Sequence, residues 1–121
     1  PVRCFNYGWS NHVPLYTFFV EINEKEKFEY YNEFKFIEDV PSNVMVVGVK
    51  KSEYSNNSMI VRLLEIEGKK CNFLFNLTFK KIKNAFLTNP VEDIIKALKS
   101  NDKGVELFLK PFELLTLKLE F

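Results

Sequence analysis

Hydrolysis or group transfer near neutral pH needs a nucleophile or an activated water held beside an acid–base partner, and histidine is the usual partner. This chain has one histidine. His12 stands next to Asn11 and two residues before Pro14 in a polar leader, so a solvated or hydrogen-bonded imidazole is the plain reading, not a catalytic base. The two cysteines, Cys4 and Cys71, share no ligand spacing with it, and a zinc site would need three or four such groups. Gly8, Gly48, Gly68 and Gly104 lie far apart, so no glycine-rich loop can cradle a phosphate.

Carboxylate pairs are the remaining catalytic option, since glycoside hydrolysis runs on two of them. Glu24 with Glu26, Glu38 with Asp39, Glu65 with Glu67, and Glu92 with Asp93 are the candidates. Each falls on the expected wet side of a strand or in a turn, and buried acids are rare, so solvated faces are expected. The residues therefore supply no catalytic, cofactor or metal set. Trp9 and Tyr54 are the candidate sugar-contact rings, ahead of Tyr7, Tyr30 and Tyr31, because a flat apolar ring with a polar tip can stack on a sugar. The sequons Asn56-Asn57-Ser58 and Asn76-Leu77-Thr78 matter only in an exported protein.

The elements that must carry these residues are mostly strands. Thirteen Phe, five Tyr and one Trp in 121 residues suit a pleated, half-buried surface. A chain of that length forms one domain. The formal charge is +1, which gives no electrostatic reason to expect nucleic acid or an anionic membrane as partner. Two cysteines are too few for a disulfide scaffold; reduced thiols in a cytoplasmic protein are expected, with a Cys4–Cys71 bridge as the alternative. No apolar run approaches the ~20 residues of a membrane helix, and no signal peptide is recognisable. The chain starts at Pro1 without methionine, which fits a piece of a longer polypeptide.

Along the chain, residues 1–13 read as an irregular leader, and Leu15 to Ile22 and Phe28 to Ile37 as strands. Val44 to Lys51 and Met59 to Glu67 form the arms of a hairpin around the polar turn Ser52 to Ser58. Arg62 falls there among Ile60, Leu64 and Ile66, so it should be paired, and Glu113 is its candidate partner. Cys71 to Phe79 has the clearest period of two, and a shorter strand follows over Lys80 to Leu87. Asn89, Pro90 and Glu92 resemble a helix start, and Val91, Ile94, Ile95 and Leu98 keep helical spacing, which predicts a short helix near residues 90–99. Val105 to Lys110 and Leu114 to Phe121 read as a terminal hairpin with one wet face. The expected architecture is all-β: a two-sheet antiparallel sandwich with that one helix.

Two blocks of this pattern resemble a known family. The first runs from Asn43 to Gly68, with Lys50-Lys51-Ser52-Glu53 entering the turn and V-R-L-x-E-x-x-G over Val61 to Gly68; the second is V-E-L-x-L-K-P-F-E-x-x-T-L-K-L over Val105 to Leu119. They are similar to the C-terminal β domain of family 38 glycoside hydrolases, the α-mannosidases. The resemblance implies a non-catalytic β-sandwich over residues 1–121, the terminal module of a retaining α-mannosidase. The zinc and the aspartate nucleophile would belong to an upstream catalytic domain of the same polypeptide, which would be this module's partner, with carbohydrate and a homo-oligomer of the full enzyme as further candidates. A stand-alone carbohydrate-binding or structural module is the alternative.

Overall fold

The computed structural model describes residues 2–13, 35–101 and 103–121. The strand expected over Leu15 to Ile22 lies outside the described residues, as does most of that over Phe28 to Ile37. One helix, α1 (Val2–His12), precedes nine strands: β1 (Ile37–Glu38), β2 (Val44–Lys51), β3 (Ser58–Glu65), β4 (Cys71–Leu77), β5 (Asn84–Thr88), β6 (Ile94–Leu98), β7 (Ser100–Asn101), β8 (Gly104–Leu109) and β9 (Leu114–Glu120).

The strands form two antiparallel sheets, ordered β1-β4-β8-β7 and β2-β3-β9-β5-β6. Their inner faces make the sandwich core. Met59, Val61 and Leu63 of β3 meet Leu115, Leu117 and Leu119 of β9 in one sheet, and Phe75 and Leu77 of β4 meet Val105, Leu107 and Leu109 of β8 in the other. Every second residue of each strand points inward, as a period of two requires. Each such Leu or Phe, fully removed from water, contributes about 1.5–3 kcal/mol.

The hairpin of β2 and β3 stands as the sequence implied, closed by Ser52 N–H donating to the Ser58 carbonyl at 3.1 Å. A bulge between Val46 and Gly48 shifts its register, so that Gly48 opposes Arg62. Other expectations need correction. Residues 94–98 form strand β6, not a helix, and pair with β5 from Ala85↔Leu98 to Thr88↔Ile94. Asn89 does receive the N–H groups of Val91 and Asp93 on its side-chain oxygen, as a cap would. Its own N–H, however, donates to the Asp93 carbonyl and closes a tight hairpin loop, and Glu92 turns left-handed there at φ 72°. The same Asx chemistry serves a turn as readily as a helix start.

The helix lies instead in the leader that was expected to be irregular. Ser10 and Asn11 satisfy their side chains on the Tyr7 carbonyl within it, and none of its residues is buried. The terminal hairpin is also not formed: β8 and β9 belong to different sheets, with Lys110 to Glu113 carrying the chain across. The burial patterns explain this. β8 alternates buried and exposed residues after Gly104 and suits a sheet with one wet face, whereas β9 is buried from Leu115 to Leu119 and occupies the centre of its sheet between β3 and β5.

Gly104, the first residue of β8 and paired with Asn101, has φ 136°, and a Cβ there would lie 2.4 Å from the Phe75 carbonyl oxygen. Only glycine fits both constraints. Gly104→Ala should lower stability by about 3 kcal/mol, the upper end for strained backbone, in urea unfolding. Gly48→Ala, whose Cβ would only touch Arg62 at 3.9 Å, should change it by under about 1 kcal/mol; equal effects would disprove this account of the turn.

Candidate functional site

Two buried acids tie loops of the sandwich together, and the first is Glu65, at the end of β3. It is fully buried, contrary to the solvated face expected for it. Its Oε1 accepts from the Asn43 side-chain amide at 3.0 Å and the Glu67 N–H at 2.9 Å; Oε2 accepts from the Gly68 N–H at 2.8 Å and the Phe112 N–H at 2.9 Å. Two donors on each oxygen replace the water that burial removes. Burial pulls the carboxyl pKa upward, but the hydrogen bonds from Phe112, Glu67, Asn43 and Lys69 outweigh it and hold the group at about 2, against an ordinary 4.5. Gly68, at φ 74°, sits under the Phe112 ring, where a Cβ would come within 2.7 Å of it. A carboxylate so acidic and so enclosed has no proton to give and little affinity for one.

The second site is Glu92, 5% exposed at the tip of the β5–β6 loop and likewise expected in solvent. Its Oε2 accepts from the Ser52 hydroxyl at 2.6 Å and the Glu53 N–H at 3.2 Å, and Lys50 Nζ lies 2.8 Å from Oε1. The Lys50 ammonium first and the Ser52 hydroxyl second hold its pKa below the usual carboxylate range, against the upward pull of burial. Lys50 also bonds Glu53 at 2.8 Å, and its own pKa is raised by those two carboxylates. Glu92 thus ties the β5–β6 loop to the β2–β3 loop. Beside it, Arg62 donates to the Pro90 carbonyl at 3.0 Å. Glu113, just before β9, instead takes the Lys110 N–H at 2.7 Å, so the two residues expected to pair have separate partners.

The residues considered for chemistry are not gathered. His12 ends α1, exposed, and Cys4 is exposed on the same helix. Cys71, half-buried on β4, is likewise a free thiol; burial pushes its pKa up, the Asn43 amide lowers it and the Glu65 charge raises it, which leaves a weak nucleophile. Among the described residues no three His, Cys, Asp or Glu side chains cluster as metal ligands, and no helix is long and apolar enough to cross a membrane. Trp9 lies on α1 and Tyr54, 73% exposed, on the β2–β3 loop; among the described residues neither stacks on another ring. The rings that do assemble were not singled out in the sequence: Phe36 stacks on Phe79 with centroids 4.3 Å apart, and Phe121 lies 6.3 Å from Phe79. Phenylalanines from three segments carry no local motif. For Glu65 a signal existed, in the E-x-x-G spacing from Glu65 to Gly68 that puts a carboxylate under the N–H groups of a glycine turn; Glu92 has no such spacing.

The Glu65 cage sets a pH dependence. Because its folded pKa lies near 2 and its ordinary value at 4.5, the folded chain binds fewer protons than the unfolded chain between them. The stabilisation is therefore complete above about 4.5 and is lost as pH falls toward 2. Glu65→Gln places an NH2 group against N–H donors, so it should lower the urea midpoint at pH 7 and flatten the loss between pH 4.5 and 2. An unchanged acid limb in the variant would show that Glu65 is not its source.

Residues 43–117 match the family model described as the glycosyl hydrolases family 38 C-terminal beta sandwich domain. No curated protein and no solved structure matches the chain. The match begins at Asn43 and spans both segments that meet at Glu65, and it covers more than half of the 121 residues. This chain belongs to the glycosyl hydrolase family 38 C-terminal β-sandwich domains.

Proposed function

We propose that this domain is the non-catalytic C-terminal β-sandwich of a cytoplasmic, zinc-dependent, retaining α-mannosidase, and that it packs against the catalytic domain upstream in the same polypeptide. The observation that carries the reading is the family match, and the fate of the two buried acids supports it. Glu65 and Glu92, the described carboxylates most enclosed by protein, spend their oxygens on backbone amides, an asparagine, a serine and a lysine. A retaining pair needs one carboxyl free to attack and another able to cycle a proton, across a gap that admits the sugar. Neither acid meets that need.

The described residues also do not fit a resident zinc ion: no ligand cluster exists among them, and the two enclosed carboxylates are already saturated by donors. In this reading zinc belongs to the upstream domain. The sandwich contributes a rigid wall, its loops cross-linked through Glu65 and Glu92, against which that domain is held. The homo-oligomer of the full enzyme is part of the same proposal, and the two free thiols are in keeping with a reducing compartment.

The 121-residue chain, incubated with 4-nitrophenyl α-mannoside and zinc, should release nitrophenol no faster than buffer. Turnover that follows the protein through purification would overturn the non-catalytic assignment.

A further inference from the structure

The two places where the chain changes sheet leave a gap between them. β6 pairs with β5 as far as Leu98, and Ser100 already pairs with Val105 of β8, so the chain crosses between the sheets at Lys99. Lys110 to Glu113 makes the second crossing, from β8 to β9. Between the two, Glu106 to Leu109 pair only with β4 and β6 pairs only with β5, so no strand among the described residues closes this side of the sandwich. A cleft of about 530 Å³ opens there onto the core. The buried Leu107 and Leu115 line it, with the half-buried Leu87 and Leu98 beside them. Charge stands around this apolar floor. Lys96, paired with Leu87 across the strands, Lys99 at the first crossing and Lys110 at the second are all part of the lining. Among the described residues no carboxylate lies within ion-pair distance of these three ammoniums. Glu106 and Glu113 share the lining; Glu113 already accepts the Lys110 N–H, and three ammoniums against two carboxylates leave one positive charge over.

We propose that this cleft binds a single-chain alkyl carboxylate, a fatty acid anion. The leucine floor takes the hydrocarbon chain, and an unpaired lysine ammonium at the rim takes the carboxylate. Both halves of the ligand are needed: a wholly polar anion would leave the leucines wet, and an alkyl cation would meet three ammoniums. The volume lies within the range of small-ligand sites. At the ~30 Å³ of a water-sized group such as a methylene, a chain of about twelve carbons fills about two thirds of it. Lysine suits such a rim, because its own methylenes can lie along the leucines while the ammonium stays in water. An ion pair in that wet position adds little affinity, so the buried chain sets the strength of binding and the charge selects the head group. The assignment rests on the cleft alone and not on the domain's place in a mannosidase.

The test is titration of the isotopically labelled 121-residue chain with octanoate, decanoate and dodecanoate, each below its micelle concentration, followed by amide NMR. Saturable shifts confined to the backbone of 96–99, 106–110 and 113–115 are expected, with Kd for dodecanoate on the order of 10 μM. Each methylene removed should weaken binding about fourfold, the effect of one buried CH₂. Lys96→Met and Lys99→Met, both at exposed positions, should each weaken dodecanoate binding about threefold, whereas exposed Lys80→Met, outside the cleft, should bind as the parent does. Decyltrimethylammonium should not compete. The length series needs no variant, so it decides the matter even where a substitution impairs folding. No saturation with dodecanoate at about 100-fold above that concentration would overturn the proposal. So would equal affinity for octanoate and dodecanoate, shifts centred elsewhere, equal binding of the cation, or unchanged affinity in both folded lysine variants. A blank titration leaves the mannosidase reading intact, and turnover in the nitrophenyl assay leaves this one intact.

Discussion

A single buried carboxylate joins the parts of this domain that the chain order keeps apart. Glu65 takes N–H groups from the turn that follows β3, from the side chain that precedes β2 and from the link between β8 and β9. Three crossings of the chain converge on two oxygen atoms. Replacing the acid with an apolar residue would strand those donors without water, and an unmade hydrogen bond in the interior costs more than a made one contributes. The charge is tolerated because the donors were put there with it.

Two of the three described non-glycine residues with left-handed backbone, the third being Asp39, lie at the same places. Phe112 adopts φ 57° where its N–H meets Glu65, and Glu92 adopts φ 72° where its carboxylate meets Ser52 and Lys50. Left-handed conformations cost non-glycine residues about 1–3 kcal/mol and persist where the surroundings over-determine them. Here the determinants are identifiable charge-assisted hydrogen bonds. The domain is therefore held by its core in bulk and by two acids in detail, with each acid fixing a loop that the sheets alone would leave free.

Much of the architecture could be read in advance, and the failures have a common cause. Alternation in Cys71 to Leu77 and the turn chemistry of Ser52 to Ser58 are local, and they placed β4 and the β2–β3 hairpin. Family kinship was also legible, because Val61 to Gly68 and Val105 to Leu119 are linear patterns, and the match to residues 43–117 agrees with them. What could not be read depended on a partner far away in sequence. Ile94 to Leu98 keeps helical spacing but pairs with β5; Leu114 to Glu120 looks like a hairpin arm but inserts between β3 and β5. Glu65 and Glu92 look solvated beside charged neighbours, and their donors lie up to 47 and 40 positions off. The Phe36, Phe79 and Phe121 ring cluster is the extreme case, assembled from three segments with nothing in common locally.

The position of β9 has a consequence for how the domain comes into being. It pairs Ser58 with Glu120 on one side and Asn84 with Glu120 on the other, so the strand at the middle of the five-stranded sheet follows every other described strand in the chain. During synthesis β3 and β5 emerge with open edges and no strand to join them. Loops this long close slowly, and until they close those edges can pair with other chains. The five-stranded sheet is completed at its centre, by the strand that turns two separate hairpins into one sheet.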